Sequence, residues 1–256
     1  MVSGATEMDD PQLLRYSRHI LLDELGPDAQ AKFGAAHALI VGVGGLGAPV
    51  AQFLASAGIG TITLCDADRV DLTNLQRQIL YATGDIGAPK VEAAAARLAA
   101  INPEVALRTV PARVGPPELE SLVAAADVVV DCSDNFATRH AINRACVGAG
   151  KPLVSGAAIR FDGQIAVFDA RDPASPCYHC LFGDGDDLEE TRCATMGVFA
   201  PLVGIVGATQ AAEALKLVAG IGSSLAGRLL LLDTLAMQWR ELVVPRDPEC
   251  PVCRDR

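Results

Sequence analysis

Gly42, Gly44 and Gly47 stand at the G-x-G-x-x-G spacing in the run GVGGLG, with Gly45 as a fourth glycine. Residues without a β-carbon let backbone N–H groups approach a phosphate, and a following helix N-terminus adds positive potential. Asp66 lies about twenty residues further on, where an acid takes a ribose hydroxyl. The chemistry is nucleotide binding. The spacing does not say which nucleotide, and its commonest owner is a dinucleotide-dependent dehydrogenase. A second polar set follows. Asn74, Gln76, Arg77 and Gln78 crowd donors beside that phosphate site, although an ordinary helix with a polar face would read the same way. Lys90 falls in the first turn of an expected helix, against the helix dipole. It is either a neutral surface residue or a cation aimed at a phosphate. Asp134 ends an expected central strand. It suits a helix N-cap and equally a metal-binding acid, and the two roles are compatible.

The cysteines carry different chemistry. Cys177-Tyr-His-Cys180 and Cys250-Pro-Val-Cys253 are two Cys-x-x-Cys hooks far apart in the chain. Two hooks can supply a tetrahedral zinc site with four thiolates, which leaves no open coordination position and makes the metal structural. His179 lies inside the first hook and is not needed as a ligand. Cys65, Cys132 and Cys146 read as small core residues. Cys193 follows a long acidic, glycine-bearing stretch and precedes an apolar helix. A helix N-terminus lowers a thiol's pKa, neighbouring acids raise it, and an incidental loop cysteine stays an open alternative.

The elements that must position these residues follow from periodicity. Ala38 to Val43 is an apolar, β-branched run expected as a buried strand. Ala48 to Ala57 is expected as a helix closed by Gly58, and Thr61 to Cys65 as a second strand, which completes a βαβ unit. Residues 8 to 33 read as two helices, the first over Pro11 to Leu22. Arg15 and Arg18 are neighbours there and by pattern alone form a solvated basic edge. Asp85-Ile86-Gly87-Ala88-Pro89-Lys90 is expected to open a helix through Ala100, with Pro89 in its first turn, and Asn102-Pro103 ends it. Further strands are expected at Val105–Val110, Asp127–Asp131 and Pro152–Ser155, with helices at Glu118–Ala125 and from Asn135 to Val147. Ala158 to Ala170 reads as one longer strand with a turn or bulge at Phe161-Asp162-Gly163. Arg228–Leu232 and Met237–Val244 read as a closing antiparallel pair. The fold class expected is α/β, a Rossmann-like mixed sheet with a parallel N-terminal half, an antiparallel C-terminal half and a Cys₄ zinc site. Residues 1–256 form one expected domain: N-terminal helices over 10–35, a nucleotide-binding half over 36–157, and an antiparallel half with the zinc site over 158–256.

Composition narrows the classes. A chain of 256 residues that is 50% hydrophobic can bury a sizeable α/β core. A formal net charge of −10 argues against nucleic acid or an anionic membrane as the main partner. The start, MVSGATEMDD, is polar and acidic and is not a signal peptide. Met196 to Leu217 is the longest apolar stretch. Gly197, Pro201, Gly204, Gly207, Gln210, Glu213 and Lys216 make a core or interface helix the expectation instead of a membrane span. Eight cysteines without a secretory signal indicate a reducing, cytoplasmic setting.

Taken together, Arg15-Tyr16-Ser17-Arg18, GVGGLG, Asp66-x-Asp68, Asn74-Leu75-Gln76-Arg77-Gln78, Pro89-Lys90, Asp131-Cys132-Ser133-Asp134-Asn135 and the two hooks resemble the MoeB/ThiF/HesA family, relatives of the ubiquitin-activating enzymes. The resemblance covers roughly residues 11 to 253. It implies adenylation of the C-terminal Gly-Gly carboxylate of a ubiquitin-like sulfur carrier, using ATP and Mg²⁺ and releasing pyrophosphate, with Zn²⁺ as the structural metal. It places Gly42, Gly44, Gly45, Asp66, Thr73, Asn74, Leu75, Gln76, Arg77, Lys90, Asp134 and Asn135 at the nucleotide. Asn74, Arg77 and Lys90 would contact phosphates, and Asp134 would hold magnesium. Arg18 would reach into the second subunit of a homodimer, and Cys193 would match a loop cysteine used in thioester or persulfide steps in some members. Cys177, Cys180, Cys250 and Cys253 would hold the zinc. Ser155-Gly-Ala-Ala-Ile-Arg160 looks more like MoeB than ThiF, which favours the molybdopterin-synthase small subunit as carrier over the thiamine-pathway carrier. The chain ends after the second hook, so a separate sulfur donor is expected. A NAD-dependent dehydrogenase and a non-enzymatic zinc-containing binding module are the rival readings.

Overall fold

A computed structural model describes residues 8–183 and 196–256. The chain begins with three short helices, α1 (Asp10–Arg15), α2 (Ser17–Ile20) and α3 (Gly26–Ala35). The single helix expected over Pro11–Leu22 is broken at Tyr16. The Tyr16 side chain turns inward onto Gly58, and its hydroxyl accepts from Asn102 Nδ2 at 2.9 Å. That buried anchor takes precedence over helical continuity.

One eight-stranded sheet runs through the chain in the order β3-β2-β1-β4-β5-β6-β7-β8. β1 (His37–Val41), β2 (Thr61–Cys65), β3 (Ala106–Val110), β4 (Val128–Asp131) and β5 (Pro152–Ile159) are parallel. β6 (Asp162–Asp169), β7 (Arg228–Asp233) and β8 (Gln238–Val243) pair antiparallel. The expected long strand over Ala158–Ala170 is therefore two strands. β5 continues to Ile159, the chain reverses at Arg160-Phe161, and β6 returns along it. Arg160 takes a positive φ of 51° to make that reversal. A tight hairpin keeps both polar–apolar alternations intact, so in sequence it looks like one strand with a defect.

Helices cover both faces. On one face α4 (Gly47–Ala57), α5 (Lys90–Ile101) and α9 (Ala200–Ala219) bury Val50, Leu54, Val91, Leu98, Leu202 and Val206 against β-branched strand residues. On the other, α6 (Pro116–Ala125) and α7 (Phe136–Ala149) bury Leu119, Val123 and Ile142. α8 (Tyr178–Phe182) carries the first cysteine hook. α9 is long and apolar enough to cross a membrane by length and composition. Its Gln210 and Glu213 are nonetheless buried and hydrogen-bonded inside the fold, which accounts for polar residues in an apolar run.

β1 lies between β2 and β4; the chain crosses from β1 to β2 and β3 on one side, then returns from β3 to β4 on the other. A crevice opens at the carboxyl ends of the strands at such a reversal, and that is where α/β sheets bind ligands.

Candidate functional site

The glycine turn leaves β1 at this switch point. Gly42 has φ +89°, and a β-carbon there would lie 2.6 Å from the Cys132 carbonyl oxygen. A β-carbon on Gly47 would lie 2.0 Å from the Gly42 carbonyl oxygen. Both positions therefore demand glycine for close backbone approach. Val43 is held from two sides. Its N–H donates to Asp66 Oδ2 at 2.7 Å, and its carbonyl accepts from the buried Tyr81 hydroxyl at 2.7 Å. Asp66 Oδ1 also accepts the Asp68 N–H at 2.9 Å. Two main-chain donors thus orient the acid that follows β2. Gln78 is buried against Gly44, and its Oε1 has no hydrogen-bond partner. An orphaned amide beside the glycine turn fits a bound polar ligand.

The stretch after β2 is not a long helix. Leu72–Asn74 is one 3₁₀ turn, with Asp71 accepting from the Thr73 N–H at 2.8 Å and Asn74 Oδ1 accepting from the Asp71 N–H at 3.2 Å. Leu75 and Arg77 are half-buried and Gln76 is exposed. Arg77 Nη1 donates to the Thr73 carbonyl at 3.1 Å, which folds the guanidinium back along the turn.

Lys90 is the first residue of α5, and Pro89 is the N-cap instead of lying within the first turn. The Lys90 side chain is 6% exposed, and Nζ donates to Asp68 Oδ2 at 2.8 Å. A buried ammonium with an acidic partner is not a surface accident.

On the other side of the crevice, β4 ends in Asp131. Asn135 caps α7 by accepting the Thr138 N–H at 2.8 Å. The N-cap role considered for Asp134 therefore belongs to its neighbour. Asp134 is exposed, with Asn135 Nδ2 at 3.4 Å from its Oδ1. A solvent-facing carboxylate at a strand end suits a hard, oxygen-seeking cation.

Other expected residues stand elsewhere. Arg18 is exposed on α2, and among the described residues its side chain has no hydrogen-bond or ion-pair partner. Cys193 lies outside the described residues. Cys65, Cys132 and Cys146 are buried as expected. A cavity of about 580 Å³ opens at the opposite ends of the strands, lined by Tyr16, Gln30, Lys32 and Glu104. It lies apart from the glycine turn.

The two hooks meet. Cys177 Sγ lies 3.7 Å from Cys250 Sγ and 3.9 Å from Cys180 Sγ, and Cys180 Sγ lies 3.5 Å from Cys253 Sγ. All four sulfurs fall within 4.8 Å of one another. A tetrahedron with Zn–S bonds of about 2.3 Å has S···S edges of about 3.8 Å, so the residues fit zinc. Asn143 supports the cage, donating to Cys177 Sγ at 3.6 Å while its Oδ1 accepts the Tyr178 N–H at 2.9 Å. His179 Nδ1 stands 3.6 Å from Cys250 Sγ, beside the cage and not among the four ligands.

Pattern reading assigned no role to Tyr81, Arg139 or Asp131. Tyr81 carries no sequence signal. Asp131 had one, a charged residue closing a run of valines.

Fold and site together define a nucleotide-binding α/β protein with a four-cysteine centre. Residues 16–252 match the ThiF family. The molybdopterin-synthase adenylyltransferase of Escherichia coli (strain K12) is 45% identical over 250 residues, 96% of this chain and 98% of its own. The sulfur carrier protein ThiS adenylyltransferase of the same organism is 46% identical, over 96% of this chain and 97% of its own. A crystal structure of E. coli MccB with ATP superposes with a TM-score of 0.83 at 26% identity, covering 97% of this chain and 74% of that one. The chain belongs to the ThiF family and, like these relatives, is an adenylyltransferase.

Proposed function

We propose that this adenylyltransferase activates the C-terminal Gly-Gly carboxylate of a ubiquitin-like sulfur carrier protein, with the molybdopterin-synthase small subunit favoured. The observation that carries the reading is the placement of Lys90, a buried ammonium within one hydrogen bond of the loop that ends β2. A hydride-transfer site needs no such cation. An adenylating site does, because negative charge builds on the phosphates as the α-phosphorus is attacked.

The carrier carboxylate is anionic near neutral pH and serves as nucleophile without a general base. One of its oxygens bonds to the α-phosphorus, the bond from that phosphorus to the α–β bridging oxygen breaks, and pyrophosphate leaves with the electron pair. The products are the acyl-adenylate and pyrophosphate. The glycine turn and Asp66 hold the nucleotide. Thr73, Asn74, Leu75 and Gln76 line the phosphate side, and Arg77 and Lys90 neutralise the oxygens. Asp134, with Asn135 beside it, would hold Mg²⁺, which supplies further charge neutralisation when bound. The four cysteines would hold structural Zn²⁺. The working unit is a homodimer in which Arg18 reaches the neighbouring site, and a separate protein donates sulfur. Cys193 is the thiol for any later thioester or persulfide step. The 45% and 46% identities to two enzymes with different carriers support the reaction class without separating the carriers.

The test mixes the protein with candidate Gly-Gly carriers, ATP and Mg²⁺, and follows carrier mass. AMP addition to the molybdopterin-synthase small subunit is expected. AMP addition to the thiamine-pathway carrier alone would move the assignment there. Adenylation of no carrier, with protection by NAD and not by ATP, would overturn the reading.

A further inference from the structure

The residue that ends β4, Asp131, is fully buried and takes no part in the chemistry described so far. Its carboxylate accepts at both oxygens. Oδ1 receives the Ser133 N–H at 3.0 Å and the Ser133 hydroxyl at 2.6 Å, and Oδ2 receives the Ser155 hydroxyl from β5 at 3.1 Å. Its main-chain carbonyl accepts from Gln210 Nε2 of α9 at 2.8 Å. With both oxygens committed and no exposure, Asp131 cannot itself ligate a cation at the crevice.

What it holds is the next turn of chain. Ser133 is bound through its N–H and hydroxyl to Asp131, and through its carbonyl to Arg139 Nη2 at 2.8 Å. Cys132 N–H donates to the Val41 carbonyl at 2.8 Å, which ties the same turn to β1. On the far side, the Asn135 side chain is fixed by the start of α7. Asp134 therefore sits between two anchored residues, and it is the first residue of the turn whose side chain is left to solvent.

Arg139 is itself only 8% exposed. Burial disfavours its charge, and the Asp131 carboxylate, Tyr178 and Asp134 outweigh that and hold the guanidinium above its ordinary value. A buried carboxylate and a buried guanidinium thus grip the two ends of one residue, Ser133. Oxygen ligands of a metal are commonly aimed by such outer partners. The Ser155-Gly156 start of the motif noted in the sequence also finds its use here. Ser155 supplies the third hydrogen bond, and Gly156 leaves the space that Gln210 needs, since a β-carbon there would lie 2.4 Å from the Gln210 side chain.

We infer that Asp131, with Arg139 and Ser155, is a positioning residue that aims the Asp134 carboxylate at the magnesium–phosphate group without touching it. This rests on the reading of Asp134 as the metal-binding acid.

Calorimetric titration of the zinc-loaded full chain with ATP, once in Mg²⁺ and once in EDTA, tests it without any carrier. Asp131→Asn is expected to weaken ATP binding in Mg²⁺ about tenfold or more, and to leave binding in EDTA unchanged. Ser155→Ala should shift in the same direction by less. Asp134→Ala supplies the reference. If it shows no magnesium-specific loss, the reading of Asp134 fails. If it does while Asp131→Asn and Ser155→Ala bind as the parent does, the positioning inference is overturned. Equal losses in Mg²⁺ and EDTA would make Asp131 merely structural, and would also overturn it. Should Asp131→Asn fail to fold, Ser155→Ala decides by the same comparison.

Discussion

Lys90 Nζ and the Asp68 carboxylate form a 2.8 Å ion pair in which the lysine is 6% exposed and the aspartate 67%. The Lys90 N–H also donates to the Asp68 carbonyl at 2.9 Å. The cation is thus buried and oriented, while its counter-ion stays in water and can give it up. Lys90→Ala and Arg77→Ala are expected to lower carrier-dependent ATP–pyrophosphate exchange by a factor on the order of 10²–10³, with the far-UV spectrum unchanged. Asp68→Ala should cost less, about tenfold, because it removes an aiming partner and not the cation. Undiminished exchange in the Lys90 or Arg77 variant would remove that residue from the phosphate site.

Close approach at the glycine turn is tested by Gly47→Ala. The added carbon meets the Gly42 carbonyl oxygen, a backbone atom that cannot rotate away. A loss of about 3 kcal/mol in stability is expected, read from urea unfolding. Gly84→Ala, where a β-carbon meets nothing within 4 Å, is the control and should stay near the parent.

The cysteine cage should carry about one zinc per chain, measured by elemental analysis after gel filtration. Cys250→Ser is expected to lose that metal and to lower Tm, because the cage ties residues 177–180 to the tail at 250–253. Full metal retention in that variant would show that the four sulfurs are not a single site.

Three thiols are predicted to be silent. Burial, helped by Asp66 and Glu118, pushes the Cys65 thiol up to about 11. Burial also raises Cys132 and Cys146, with Asp131 adding to both. All three stay protonated at pH 8. Iodoacetamide at that pH should leave them unmodified until the protein is unfolded, as read by peptide mass mapping. Native-state labelling of any one would contradict the burial that raises it.

Asp169 ends β6 and faces Arg171, with Nη2 2.6 Å from its Oδ2. Burial pushes its carboxyl up, and the Arg171 side-chain and backbone hydrogen bonds outweigh that and hold it below the usual value. A depressed folded-state pKa contributes stability above the ordinary aspartate value of about 3.9, and the contribution fades as pH falls through the folded value. Arg171→Ala should therefore lose no more than about 1 kcal/mol at pH 7, and the deficit should shrink toward pH 3. An equal deficit at both pH values would assign the effect to packing.

Local pattern was enough for much of the frame. The Thr61–Cys65 strand, the helix ending at Gly58 and the closing antiparallel pair stand where periodicity and turn residues put them, because each depends on neighbours within one turn or one strand. Pattern failed where distant contacts overruled it. Tyr16 broke the first helix to reach Asn102, and Arg160 folded one apparent strand into two.

By itself the sequence determined which groups are on offer: a G-x-G-x-x-G run, an acid about twenty residues further on, two cysteine hooks, and a lysine at the start of a helix. Residue type and short spacing carry that information directly. Only the tertiary structure decided which groups act together. It set Lys90 against Asp68, closed Cys177 and Cys180 onto Cys250 and Cys253, and buried Asp131 under the turn that presents Asp134. Those pairings join residues up to seventy-three positions apart, and a sheet that orders its strands 3-2-1-4-5-6-7-8 brings them together in a way no local spacing encodes.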